Sequence, residues 1–348
     1  MSKIDSEIRK KLGLWFDIYR RKLPWRLDKD PYKIWLSEII MQQTRVAQGT
    51  PYYQRFIEKY PNVKTLASAP ELEVLRLWQG LGYYSRARNL HHTAKQIEKI
   101  FNGVFPNDYK ELLSLKGIGK YTASAIISLA YNKPFAVLDG NVYRVISRLY
   151  GIETPVNAPE AEKIYSEIAQ NLLDKKAPGR FNEAMMEFGA LQCVPQNPNC
   201  AICPLTNCCI AWQTGKVGML PIKTPKKAPV SRRINYLFTF TNEGLYLKQR
   251  PAGDIWQSLY DMPEIKGETD EETILNISKD FGFDMKDIIK ITQMKHQLTH
   301  QSLQILIYNI KVKKTNNTAL KAYIFIKFNN LNDYPLPRPV EKFLKDYI

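Results

Sequence analysis

All five cysteines of the chain fall between Cys193 and Cys209, and four of them, Cys193, Cys200, Cys203 and Cys209, are spaced C-x6-C-x2-C-x5-C. Four thiolates from one short, proline-containing segment can wrap a single cubane cluster, and Cys203-Pro204 supplies the Cys-Pro ending common in such loops. The spacing points to a [4Fe–4S] cluster. Structural zinc is the rival, but its sites usually draw on two separated C-x-x-C pairs and only one is present here. A disulfide framework fits poorly, because the count is odd and the cysteines crowd into one segment of a long chain. Cys208 reads as a spare thiol, with its substitution for Cys209 as a ligand the alternative.

Two carboxylates and a glycine pair carry the remaining chemistry. Glu38 lies in a helical pattern with Ile34, Trp35, Met41 and Gln42 three and four positions away, so its carboxyl projects beside apolar side chains. Desolvation there is expected to raise its pKa and make it a proton donor near neutrality; a Glu at a core edge paired with an Arg is the plainer reading. Asp139, in Leu138-Asp139-Gly140-Asn141-Val142, precedes another helix, where an N-cap aspartate is expected and its ionised form is stabilised. A carboxyl that holds a proton beside one that does not is the division of labour needed for glycoside cleavage through an oxocarbenium-like transition state. Leu115-Lys116-Gly117-Ile118-Gly119 joins two helical patterns by a tight turn whose backbone N–H groups can hold a phosphate at a helix start. With the basic charge and the cysteine loop downstream, it reads as a helix-hairpin-helix over residues 108–132.

The elements that must position these groups change character along the chain. From Ser6 to about Ala211 the apolar spacing is helical, predicting helices over Ile4–Arg20, Tyr32–Tyr60, Ala69–Trp78, Ser85–Phe101, Asp108–Leu115, Tyr121–Asn132, Val142–Tyr150, Glu160–Leu173 and Arg180–Gln192. The second is expected to break near Gly49-Thr50-Pro51. Residues 216–232 carry Pro221, Pro225 and Pro229 among lysines and read as an extended, semi-rigid linker. Beyond it, Ile234–Thr241, Leu245–Arg250, Leu303–Val312 and Ala322–Phe328 read as strands, and Glu271–Phe283 and Val340–Tyr347 as helices. The fold class expected is therefore multidomain: an all-helical domain at 1–215 with its cysteine loop at 193–209, the linker, and an α+β domain at 233–348.

At 348 residues, with 44% hydrophobic and 11% aromatic content, the chain can bury two cores. Its start is polar and it contains no apolar run of transmembrane length, so no membrane association and an intracellular location, cytoplasm or nucleoid, are expected. A net charge of +16 favours a polyanionic partner. The charge is also segregated: Phe188–Asn242 has no acidic residue but contains Lys216, Lys223, Lys226, Lys227, Arg232 and Arg233, which suits a phosphate backbone.

On these motifs, together with Leu23-Pro24-Trp25-Arg26, Ser37–Thr44 and Gly80-Leu81-Gly82-Tyr83-Tyr84-Ser85-Arg86, the chain resembles the helix-hairpin-helix DNA glycosylases with an iron–sulfur loop, and among them the adenine DNA glycosylase (MutY) family. The resemblance covers nearly the whole chain. It implies base excision of adenine mispaired with 8-oxoguanine or guanine in double-stranded DNA, by an enzyme probing the duplex as a monomer. Glu38 matches the acid that protonates adenine, Asp139 the carboxylate that stabilises the sugar cation, and Tyr121 and Glu183 supporting active-site residues. Gln43 and Tyr83 match side chains that enter the duplex when the base is extruded. Arg26, Thr44, Gly117, Gly119 and Lys120 fall in motifs that contact DNA. Cys193, Cys200, Cys203 and Cys209 match the ligands of the [4Fe–4S] cluster.

One position discriminates within this superfamily. Members with lyase activity carry a Lys two residues after the second hairpin glycine, as a Schiff-base nucleophile. Tyr121 stands there, and the adjacent Lys120 is turned about 100° away along a helix. A monofunctional glycosylase is expected, leaving an abasic site. Tyr143 likewise stands where some members have a Lys. The alternatives are an endonuclease III-like glycosylase/lyase for oxidised pyrimidines, disfavoured by Tyr121 and the extra domain, and a non-catalytic DNA-binding scaffold, disfavoured by Glu38 and Asp139.

The C-terminal part resembles the Nudix-like lesion-reading domain of the same family. Trp256-Gln257-Ser258-Leu259-Tyr260-Asp261-Met262-Pro263 is similar to that domain's Trp-x-Gly-Leu-Trp-x-Phe-Pro, with three substitutions. The Arg-Glu-x-x-Glu-Glu run of a working Nudix hydrolase is absent from the sequence, so binding rather than hydrolysis is implied. Leu298-Thr299-His300 falls where the family often has Phe-Ser-His at the 8-oxoguanine contact; Thr299 keeps the hydroxyl and Leu298 keeps bulk without the ring. The segment between the first two cysteines lacks the basic residues that family members often carry there.

Overall fold

An amphipathic stripe begins the structure. In the computed structural model, which describes residues 3–225, 228–312 and 318–347, Ile8, Leu12, Trp15 and Phe16 recur on one face of α1 (Lys3–Tyr19) and are all buried. The helices that follow are α2 (Pro31–Met41), α3 (Val46–Lys59), α4 (Val63–Ser68), α5 (Glu71–Leu77), α6 (Ser85–Phe101), α7 (Tyr109–Ser114), α8 (Lys120–Leu129), α9 (Gly140–Tyr150), α10 (Ala161–Leu172), α11 (Pro178–Leu191) and the short α12 (Ile210–Gln213). The chain divides into two units, Met1–Ser68 with Asn89–Pro225, and Ala69–Arg88 with Lys226–Ile348. No helix among the described residues is long and apolar enough to cross a membrane.

In the first unit the α1 stripe packs against Val142, Val145, Ile146 and Leu149 of α9, Tyr165 of α10 and Phe188 of α11. Caps set the helix starts: the Asp30 side chain accepts from Tyr32 N ahead of Pro31, Asp108 accepts from Lys110 and Glu111 N, and Asp139 accepts from Val142 N. The break expected at Gly49-Thr50-Pro51 lies earlier. The chain leaves helix after Met41, passes through Gln43 at φ 54, and re-enters at Val46, with Pro51 inside α3. Pro51 sits near the start of α3, where it forfeits only the bond to the carbonyl of Ala47.

The segment expected as a linker is docked over its first half. Leu220 is buried, its carbonyl accepts from Arg148 Nε at 2.9 Å, and Val156 N donates to the Ile222 carbonyl at 3.0 Å. Its last residues, Val230–Arg232, are already strand. Lys226 and Lys227 lie outside the described residues.

The second unit is built on β1 (Val230–Phe240), β2 (Gly244–Gln249), β3 (Tyr260–Asp261), β4 (Glu264–Ile265), β5 (Lys290–Gln297), β6 (Gln301–Lys311) and β7 (Ile324–Lys327). The sheet runs β3-β2-β1-β6-β5, with β4 on β1 and β7 on β2. Only β1 and β6 pair in parallel among the described strands. Both central strands are covered on both faces, which is why they read as nearly continuous apolar runs. Ile234, Tyr236 and Phe238 of β1 face one core with Phe343 of α14 (Arg338–Tyr347); Leu237 faces the other with Ile277 of α13 (Asp270–Phe281). Strand β5, which the sequence pattern does not predict, has only Ile291 and Met294 as apolar residues and forms because β6 offers it a long antiparallel edge.

Candidate active site

Helix α2 is buried nearly all round, and Glu38 is its buried charge, 5% exposed. A buried carboxyl must be satisfied, and two elements do this. Arg26, on the single turn Pro24–Arg26, donates from Nη2 to Glu38 Oε1 at 2.7 Å; Tyr121, on α8, donates its hydroxyl to Glu38 Oε2 at 2.5 Å. The same guanidinium reaches Glu183 of α11, Nε to Oε1 at 3.1 Å, so Arg26 bridges two carboxylates. Arg26 Nη1 is buried with no hydrogen-bond partner among the described residues. Burial raises the Tyr121 phenol well above its ordinary value, with the Glu38 charge adding to it, so Tyr121 stays a donor. Burial also raises Glu183, against the pull of Arg26.

Glu38, Tyr121, Asp139, Glu183 and Arg26 line one cavity of about 1160 Å³ within the first unit, and Gln43 and Thr44 from the break after α2 line it too. The positive φ of Gln43 and the Thr44 N bond to the Met41 carbonyl at 3.1 Å turn the chain sharply there. Arg21 and Glu187, absent from the sequence reading, form a two-pronged ion pair on the same cavity, Nε to Oε2 at 2.9 Å and Nη2 to Oε1 at 2.5 Å.

Asp139 is the N-cap of α9, as its position predicts: Oδ1 accepts from Val142 N at 2.7 Å and Oδ2 from Asn141 Nδ2 at 2.8 Å. The expected net effect on its charge is corrected by its burial. Desolvation, aided by the nearby Glu38 charge, raises Asp139 above the ordinary carboxylate value despite both hydrogen bonds. Sequence position reveals the helix end but not how much water the fold removes. Asn141 is itself held by Arg144 Nη2 at 2.8 Å, and Arg144 Nε donates to the Cys193 carbonyl at 2.7 Å. A chain of direct bonds thus runs from Asp139 to the cysteine segment. Asn141 was missed from sequence, though its place two residues after Asp139 is the available signal.

The hairpin between α7 and α8 turns at Gly117, φ 79, where a Cβ would stand 2.8 Å from Asn89 Cβ. Gly119 caps α8 in extended conformation, with nothing within 4 Å of the Cβ it lacks. Lys120 points to Glu162, Nζ to Oε1 at 2.6 Å, and does not line the Glu38 cavity; it borders a neighbouring cleft with Tyr143.

Cys193, Cys200, Cys203 and Cys209 line one small cavity of about 30 Å³ with Arg148, while Cys208 does not line it and interacts with Glu7 and Lys11. None of the five is paired in a disulfide. As the side chains stand, no three His, Cys, Asp or Glu among the described residues form a group able to hold a metal ion. The donor set nevertheless fits an iron–sulfur cluster: four thiols on one cavity from one loop, with Arg148 Nη1 3.4 Å from Cys193 Sγ and donating to the Val194 carbonyl at 2.8 Å.

In the second unit, Tyr83 and Thr299 share a hydroxyl–hydroxyl hydrogen bond of 2.5 Å. Leu298 N donates to the Gln301 carbonyl at 2.8 Å, closing the β5–β6 turn that carries Leu298, Thr299 and His300. Trp256, at φ 59, lies with its ring 6.0 Å from that of His296, and Ser258 follows at φ 66. The turn is anchored by the buried Arg250, which bonds Asp254, Asp261 and Glu264 at 2.7, 2.9 and 2.9 Å.

Comparison with known proteins finds relatives for both the N-terminal and the C-terminal parts of the chain. Residues 36–171 match the HhH-GPD superfamily base excision DNA repair protein family and residues 235–346 the NUDIX domain family. The chain is 36% identical to the adenine DNA glycosylase of Buchnera aphidicola subsp. Baizongia pistaciae, over 95% of this chain and 93% of that protein. It is 40% identical to the adenine DNA glycosylase of Rattus norvegicus over 62% of this chain and 44% of that protein. Among solved structures, a thermostable thymine-DNA glycosylase superposes with a TM-score of 0.57 at 29% identity, covering 61% of this chain and 98% of its own. With its helical domain, its Nudix-like domain and near end-to-end similarity, the chain belongs to the adenine DNA glycosylase family.

Proposed function

We propose that the protein excises adenine mispaired with 8-oxoguanine or guanine in double-stranded DNA, hydrolysing the N-glycosidic bond and leaving the strand intact at an abasic site. The observation that carries this reading is the Glu38 cavity, in which two carboxylates with different surroundings converge: Glu38 accepts from Arg26 and Tyr121, whereas Asp139 accepts from the start of α9. Glu38 protonates the extruded base as the bond to the sugar breaks and then takes a proton from the attacking water. Asp139 stabilises the cation that develops on the sugar. Tyr121, where lyase members have a Lys, orients Glu38 and cannot form a Schiff base. Glu183 and Arg26 hold the constellation in place.

Gly117, Gly119 and Lys120 approach the phosphate backbone, Gln43, Thr44 and Tyr83 the disrupted base stack, and Leu298, Thr299 and His300 the base opposite adenine. Cys193, Cys200, Cys203 and Cys209 hold a [4Fe–4S] cluster whose part is to fix the loop against α9. The helical domain spans 1–215, the basic linker 216–232 and the lesion-reading domain 233–348. The enzyme acts as a monomer on DNA, in the cytoplasm or nucleoid.

A labelled duplex with adenine opposite 8-oxoguanine tests this, each time point split with and without hot alkali. Adenine-strand cleavage only after alkali is expected. Cleavage without alkali by a nuclease-free sample points instead to a glycosylase/lyase. A cluster-loaded, DNA-binding sample that yields no abasic product points to a non-catalytic scaffold. Glu38→Gln is expected to keep DNA binding and lose excision.

A further inference from the structure

Three segments of the second unit meet around Thr299, and one guanidinium ties two of them together. Tyr83, at φ 48 in the turn before α6, bonds Thr299 at the tip between β5 and β6. Trp256 leans on His296 at the end of β5. Arg88, in the first turn of α6, donates from Nη1 to the Gln257 carbonyl at 2.7 Å, between the two left-handed residues Trp256 and Ser258. Arg88 thus gives the Trp256–Ser258 turn a direct bond to the helix that follows the Tyr83 turn. A charged donor on a carbonyl flanked by two strained residues is a strong, directional tie.

We infer that Arg88 is a positioning residue for partner-base specificity: by holding the Trp256–Ser258 turn to the segment bearing Tyr83, it keeps the Thr299 hydroxyl in register with the base opposite adenine. This rests on the functional reading above. Among the described residues that line the Glu38 cavity and the cysteine cavity, Arg88 is not one.

The test uses the full chain and single-turnover excision of adenine opposite 8-oxoguanine and opposite guanine. Arg88→Met keeps the aliphatic stem and removes the donors. It is expected to lower the ratio of the two rates about tenfold, the scale of one hydrogen bond from a charged donor, by slowing the 8-oxoguanine duplex while leaving the guanine duplex close to wild type. Arg88→Lys restores part of the ratio. In a Thr299→Val background, Arg88→Met lowers the ratio no further, because both changes act at one point. Equal slowing on both duplexes, an unchanged ratio, or full additivity with Thr299→Val overturns the inference while leaving the excision reading intact. Failure of the wild type to excise adenine opposite either base defeats the excision reading and this inference with it.

Discussion

The Tyr121 hydroxyl donates to Glu38 Oε2 across 2.5 Å, joining α8 to α2 inside the cavity that also holds Asp139. The phenol is kept protonated by its burial and by the Glu38 charge, so the bond has one direction. Tyr121→Phe removes the donor without changing the shape of the ring. The buried Glu38 oxygen then lacks one partner, a loss worth about 1–3 kcal/mol. Single-turnover excision of adenine is expected to fall roughly tenfold to a hundredfold on that scale. DNA affinity is expected to stay near wild type. An unchanged excision rate would show that Tyr121 does not orient Glu38.

Asp139 offers a pH prediction whose sign follows from its burial. Folding raises this carboxyl, so the native state binds its proton more tightly than the unfolded state does. Its contribution to stability is therefore fully present below the ordinary carboxylate value and is lost as pH rises through the raised native value. Above that point the ionised group is a cost to the fold. Asp139→Asn keeps an acceptor for Val142 N but has no charge to bury. At neutral pH the variant is expected to melt at the same temperature as wild type or higher, with a flatter dependence on pH through the mildly acidic range, and to lose excision. A variant markedly less stable at neutral pH would contradict the sign.

These two positions also show what can be read from residue order and what cannot. Glu38, Tyr121, Asp139 and Glu183 are far apart in the chain, yet each sits in a local pattern, and the fold brings all four to one cavity. The N-cap at Asp139 is visible because capping depends on neighbours in sequence. Its raised affinity for a proton is not visible, because burial is set by elements packed from elsewhere. Arg26 illustrates the same limit: the motif Leu23-Pro24-Trp25-Arg26 marks the residue, but its bridge between Glu38 and Glu183 exists only in three dimensions. Helix positions in the first unit are legible from apolar spacing, whereas the break after Met41 depends on Gln43 taking a left-handed conformation that no glycine announces. Strand β5 escapes because an edge strand paired on one side needs little apolar periodicity of its own.

The cysteine loop makes a prediction that separates the two adjacent thiols. Cys209 lines the cavity shared with Cys193, Cys200 and Cys203; Cys208 interacts with Glu7 and Lys11 of α1 instead. Cys208→Ser is expected to retain full iron and the visible absorbance of the purified protein. Cys209→Ser is expected to lose most of both and to yield less folded protein, since metal binding and loop folding are coupled. Iron quantification per chain decides the matter, and loss of iron in Cys208→Ser with retention in Cys209→Ser would reverse the ligand assignment.

Ser258 carries a cost that the resemblance to the Trp-x-Gly-Leu segment explains. It stands in the glycine position of that segment and adopts φ 66, where a Cβ crowds the following carbonyl. The turn persists because it is held from several sides: Ser258 N donates to the Arg250 carbonyl at 3.1 Å, Leu259 N to the Trp256 carbonyl at 3.0 Å, and Gln249 Nε2 to the Ser258 carbonyl at 3.2 Å. None of these bonds uses the serine side chain. Ser258→Gly therefore removes the strain while keeping the bonds, and the gain of about 1–2 kcal/mol in the folded state exceeds the extra unfolded-chain entropy of glycine, roughly 0.5–1 kcal/mol. A net stabilisation of up to about 1 kcal/mol is expected, read as a higher denaturant midpoint for the transition that reports on Trp256. Ser258→Ala should show no such gain, because alanine keeps the Cβ. If alanine and glycine stabilise equally, the strain at Ser258 is not steric and the hydroxyl itself is the unfavourable group.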